Sequence, residues 1–125
     1  MNTVVLSLGS NSQERVKEMH KCMEWLCGRL SNVKMSQAYE TPALNGVDDN
    51  YMNAVVIGMS SVDYEELKQC FKRYEKDCGR TAESKKKGVI PIDIDIVIWN
   101  DKIMKSRDFE QSYFQIGWAE LTKSE

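Results

Sequence analysis

Residues 89–99 read Val-Ile-Pro-Ile-Asp-Ile-Asp-Ile-Val-Ile-Trp, a strand pattern with two aspartates in its middle. Aspartate is depleted in strands because its short charged side chain competes for backbone hydrogen bonds and favours turns. The period is nonetheless strictly two. Ile92, Ile94 and Ile96 fall on one face, and Asp93 and Asp95 point together from the other. Two residues along a strand is about 6.5–7 Å between Cα atoms, so the carboxylates converge on a common object and repel each other when nothing lies between them. A solvated polar face would show the same alternation, as antiparallel sheets often do. Beyond Asp95 the run Ile96-Val97-Ile98-Trp99 is apolar on both faces, which points to an interior strand offering carboxylates at one end. Such a pair suits a divalent cation. Mg2+ takes one or two carboxylates and completes its shell with phosphate oxygens and water.

Working outward, residues 3–8 form a short apolar strand broken by Gly9-Ser10-Asn11. Asn11 followed by Glu14 has the form of a helix N-cap with a carboxylate in the first turn. Val16, Met19, Met23, Leu26 and Leu30 then repeat at helical spacing. Residues 33–39 read as a second strand and 41–50 as a loop rich in turn residues. Residues 51–59 form a third strand, after which Ser60 or Ser61 can cap a second helix carrying Tyr64, Leu67, Phe71, Tyr74 and Cys78 on one face. Gly79 stands where a left-handed helix terminator is expected. The polar loop 80–88 precedes the Asp93–Asp95 strand. The order β-α-β-β-α-β predicts an α+β, ferredoxin-like antiparallel sheet with two helices on one face and a short C-terminal extension. In that fold the fourth strand lies at the sheet edge, unless residues 100–125 add a strand or short helix beside it.

The chain has 125 residues, enough for one domain, 1–125, with a real core. Its net charge of −2 argues against a general nucleic-acid binder, which needs a basic face. No apolar run has the length of a membrane span. Cys22, Cys27, Cys70 and Cys78 all fall in predicted helices and show no metal-ligand spacing. With nothing resembling a signal peptide, they read as reduced thiols of a cytoplasmic protein. The lone His20 reads as a structural or surface residue. A monomer is expected, with an oligomer left open.

Several segments, taken in order, resemble a known family: LSLGSN (6–11), YETPAL (39–44), NYMNAVV (50–56), EKDCGR (75–80) and PIDIDI (91–96). They are similar to the 6-hydroxymethyl-7,8-dihydropterin pyrophosphokinases of folate synthesis. The resemblance implies transfer of pyrophosphate from ATP to the hydroxymethyl group of a reduced pterin, with two Mg2+ ions. It assigns Asp93 and Asp95 to the metals. It assigns Tyr51 and Asn53 to stacking on and reading the pterin, Thr41, Pro42 and Leu44 to the pterin loop, and Phe114 to the pterin's other face. Arg80 would open a mobile loop closing over ATP.

The same comparison puts Ile90, Ala82 and Lys87 where the family has two arginines and a loop tryptophan. Ser112 falls near the place of a tail arginine, and no histidine stands in the tail. Lys85, Lys86 and Lys87 are then the candidates to replace the missing phosphate-binding cations, although a solvated loop would carry such a run equally well. An alternative is a degenerate member that binds pterin or Mg-nucleotide without efficient catalysis. A second alternative is a ferredoxin-like interaction module.

Overall fold

Alternating apolar residues build the middle of the sheet. The chain is described by a computed structural model over residues 1–123, so the last two positions of the expected 1–125 domain lie outside the described residues. Its elements are β1 (Asn2–Ser10), α1 (Arg15–Cys27), β2 (Ser31–Met35), β3 (Tyr39–Thr41), β4 (Tyr51–Ser60) and α2 (Tyr64–Asp77). These are followed by α3 (Ala82–Lys86), β5 (Asp93–Trp99), β6 (Lys102–Ile103), α4 (Ser106–Glu110) and α5 (Ser112–Thr122). The strands lie in the order β2-β4-β1-β5-β6, with β3 also beside β4, and every pairing is antiparallel. This is the expected α+β, ferredoxin-like arrangement, with β1 and β4 at its centre.

Period two sends the two faces of the sheet into different cores. Val4, Leu6 and Leu8 of β1, Ala54 and Val56 of β4, and Ile94 and Ile96 of β5 pack with Met19, Cys22 and Leu26 of α1 and with Leu67 and Phe71 of α2. The opposite face buries Val5, Val55 and Val97 against Phe114 and Leu121 of α5. The tail therefore makes a second helical layer, and only β6 extends the sheet. β6 pairs with Ile98 and Trp99 alone, so β5 is interior at its C-terminal end and marginal at the aspartates.

Several local expectations are corrected. Strand 33–39 is two strands, because the Ser36 side chain accepts from Val55 N (2.9 Å) while its backbone NH donates to Val55 O (2.9 Å), bending the chain between β2 and β3. Asn11 does not cap α1. Its side chain donates to Gly88 O (2.8 Å) and accepts from Ile90 N (2.6 Å), tying the end of β1 to the entry of β5. Asp63, not Ser60 or Ser61, caps α2 by accepting from Glu66 N at 2.9 Å. Val16 is half exposed, and Cys22 takes a place on the buried stripe of α1. Residues 80–88 are not an unstructured loop: Thr81 and Ser84 form a capping box that starts α3. Gly79 does adopt the left-handed conformation, at φ +100°. Among the described residues, no helix is long and apolar enough to cross a membrane.

Candidate active site

The second sheet face is covered by α5 only in part, and the uncovered end carries the site. There Gly9 lies in register between Asn53 of β4 and Asp93 of β5, and Ser7 lies opposite Asp95. Three adjacent strands thus present Asn53, Gly9 and Asp93 in one row. Glycine is the useful residue at the middle position: without a side chain it leaves a floor between the amide and the carboxylate. Above this floor is a cavity of about 310 Å³ walled by Thr41, Pro42, Leu44, Asp48, Tyr51 and Tyr113, with both aspartates at its side.

Asn53 is held rigidly. It is buried, and its Nδ2 donates to Thr41 Oγ1 (2.7 Å), Tyr39 O (3.2 Å) and Tyr51 O (3.2 Å). That network fixes Oδ1 on the Gly9 side, where it is an acceptor of defined direction. Tyr51 is half-buried, and burial first and then the Asp93 charge raise its pKa, so it remains a neutral aromatic wall. The 41–50 loop is braced by Asn45, whose Oδ1 accepts from Val47 N (2.9 Å) and Asp48 N (3.1 Å). Asp48 in turn abuts Gly88, which sits at φ +72°.

A second cavity, about 340 Å³, opens on the other side of the carboxylates. Asp93 and Asp95 line both cavities. The second is bounded by Lys68, Lys72, Glu75, Arg80 and Lys105. Arg80 Nη1 donates to Asp93 Oδ1 at 2.6 Å and lies 3.1 Å from Glu75 Oε1. Lys105 Nζ lies 3.1 Å from Asp95 Oδ1. Glu75 also accepts from Ile94 N at 2.7 Å, which clamps the peptide between the two aspartates. Burial first, and then the neighbouring Asp93, push Asp95 well above the usual carboxylate range, with Lys105 opposing. Burial works against the charges on Arg80 and Lys105, but the aspartates beside them outweigh it and raise both pKa values.

Eight of the residues expected from the sequence line these cavities: Thr41, Pro42, Leu44, Tyr51, Asn53, Asp93 and Asp95 around the first, with Arg80 added at the second. The remaining expected residues lie outside both cavities. Phe114 is fully buried in the second core, and the neighbouring Tyr113 is the tail aromatic on the cavity wall. Tyr113 is held there by donating its hydroxyl to Asp108 and by its carbonyl, which accepts from Tyr39 Oη at 2.6 Å. Lys85, Lys86 and Lys87 are exposed on and after α3, line neither cavity, and Lys87 pairs with Glu83 at 3.4 Å. Lys68, Lys72 and Lys105 were missed, since isolated lysines carry no signal until the fold gathers them. His20 is exposed on α1, outside both cavities.

Among the described residues, no three His, Cys, Asp or Glu side chains group around a common point. The aspartate pair alone would hold a metal, which leaves most positions for other oxygens and fits Mg2+ joined to a phosphate chain rather than a closed protein cage.

Comparison with known proteins agrees with this chemistry. Residues 5–123 match the family model for 7,8-dihydro-6-hydroxymethylpterin-pyrophosphokinase. A 2-amino-4-hydroxy-6-hydroxymethyldihydropteridine pyrophosphokinase from Aquifex aeolicus is 35% identical over 108 residues, covering 86% of this chain and 67% of the relative. Folate synthesis bifunctional proteins are 37% identical in Chlamydia trachomatis, over 81% of this chain and 24% of the relative, and 29% identical in Arabidopsis thaliana, over 77% and 20%.

Proposed function

This chain belongs to the 7,8-dihydro-6-hydroxymethylpterin-pyrophosphokinase family, which moves pyrophosphate from ATP to hydroxymethyldihydropterin in folate synthesis, and we propose that it runs this transfer across the two cavities meeting at Asp93 and Asp95. The observation that carries this division is the shared wall. One cavity offers an oriented amide and aromatic faces, the other offers four cations, and the same two carboxylates border both.

In this reading the pterin enters the first cavity. Tyr51 and Tyr113 supply faces for a flat heteroaromatic ring, and the fixed Asn53 Oδ1 accepts from an N–H of its edge. Gly9 leaves room for the ring to approach the sheet. The triphosphate lies in the second cavity, where Lys68, Lys72, Arg80 and Lys105 offset its charge. Asp93 and Asp95 would hold Mg2+ between the two, and the ion would supply charge neutralisation and polarise the phosphoryl group being attacked. Phosphoryl transfer asks little else of a protein than alignment and electrostatics.

The exposed run Lys85–Lys87 has no part in this arrangement, because none of its side chains borders either cavity. The test is direct: protein, ATP, Mg2+ and 6-hydroxymethyl-7,8-dihydropterin are incubated and AMP release is followed. AMP formed no faster than without protein would overturn the catalytic reading.

A further inference from the structure

Each aspartate of the pair has a protein cation of its own, and the two cations are held differently. Arg80 is pinned twice, by Asp93 at 2.6 Å and by the buried Glu75 at 3.1 Å, so it is a fixed part of the wall. Lys105 meets Asp95 at 3.1 Å, and that is its one ion pair among the described residues. Its side chain is 40% exposed and leaves the backbone just before α4, on a long flexible stem. It also already borders the cationic cavity. A divalent cation bound through Asp95 would compete with an ammonium for the same oxygen. Both cannot keep full contact with it, and Lys105 is the one free to move.

We propose that Lys105 is an exchangeable counterion. It neutralises Asp95 until metal and nucleotide arrive, and then transfers its contact to a phosphate oxygen in the adjoining cavity. The exchange rests on the assignment of that cavity to the triphosphate. It gives the chain a phosphate-binding cation where Ile90 and Ala82 provide none, from a position that sequence comparison did not indicate. It also makes metal binding without nucleotide unfavourable, because the ammonium would lose one partner without gaining another.

The proposal predicts opposite signs for two affinities, which a purely structural ion pair would not give. Lys105→Met keeps the stem and removes the charge. It should bind Mn2+ alone about two- to fivefold more tightly than wild type, the size expected for losing a partly exposed competitor. It should bind Mn2+ with a non-hydrolysable ATP analogue about tenfold more weakly, having lost one charged phosphate contact. Titration calorimetry and the electron paramagnetic resonance of free Mn2+ read both quantities. Lys72→Met borders the same cavity without touching the carboxylates, so it should weaken only the nucleotide complex. Lys105→Arg should recover most of the nucleotide affinity. A wild type that binds the Mn2+–nucleotide complex while Lys105→Met leaves the affinity for Mn2+ alone unchanged sinks the exchange alone. A wild type that binds no Mn2+–nucleotide complex overturns the two-cavity assignment and the exchange together.

Discussion

Replacing Gly117 by alanine adds one methyl group where α5 lies closest to the sheet. The new Cβ would stand 2.6 Å from Val55 Cγ2, 2.9 Å from Val55 Cβ and 2.8 Å from Tyr39 Oη. Val55 is fully buried and belongs to a central strand, so it has nowhere to go. Overpacking of this kind costs about 1–3 kcal/mol, and the higher helix propensity of alanine returns about 1 kcal/mol. Tyr39 Oη accepts from Gly117 N (3.0 Å) and donates to Tyr113 O (2.6 Å). Losing one of these bonds as α5 shifts costs about 1 kcal/mol more. The net loss is about 2 kcal/mol, or a fall in Tm of roughly 6–10 °C for a domain of this size. Because Tyr113 moves with α5, affinity for a pterin analogue should fall as well. Urea denaturation and analogue binding measure the two effects. A Gly117→Ala protein as stable as wild type would refute the claim that contact at this point sets the height of α5 above the sheet.

Three further outcomes are expected. The raised pKa of Asp95 means that the folded state holds this proton more tightly than the unfolded one, so the contribution of Asp95 to stability is greatest in acid. It is lost as pH rises from the ordinary aspartate value of 3.8 through the raised folded value. Thermal melts in chelator should show that slope for wild type and a flatter one for Asp95→Asn, and Mg2+ with nucleotide should stabilise only the former; identical slopes would remove Asp95 as the titrating group. Arg80→Ala should lower turnover by about 10²–10³, the cost of one lost charge in a water-excluded site, with AMP release as the readout and normal turnover as the contrary result. Changing Lys85, Lys86 and Lys87 together to alanine should leave the ATP dependence of activity within about twofold of wild type, since these exposed side chains border neither cavity, and a marked rise in the ATP requirement would bring α3 back to the phosphates.

The parts of this protein readable in advance are those set by local period. Strict alternation over 92–96 put two carboxylates on one face, and helical spacing through Leu67, Phe71 and Tyr74 found α2 and its buried side. What escaped was decided by long-range partners. Asn11 has a good capping pattern, but bonds to Gly88 and Ile90 outcompete the helix for its side chain. α3 has no buried residue and so no hydrophobic period to detect; only its Thr81–Ser84 cap betrays it. In the tail, Tyr113 and Phe114 are adjacent aromatics on a short helix. Which of them faces the cavity depends on the phase at which α5 docks, and Gly117 and Tyr39 fix that phase. Lys105 had no signal at all, since its partner Asp95 becomes a neighbour only through the β5–β6 turn.

The shortness of β6 has an effect beyond the reaction. Among the described residues it leaves the outer side of β5 from Asp93 to Ile96 without a partner strand, and a bare sheet edge is a template on which another molecule can add a strand. Here that opening is guarded. Glu75 occupies the Ile94 NH, and a stranger's backbone would have to settle between two carboxylates and their attendant Arg80 and Lys105. A strand added at this edge would therefore have to displace Glu75 from the Ile94 NH and break into the Arg80 and Lys105 ion pairs, so the groups that border the two cavities also oppose strand addition.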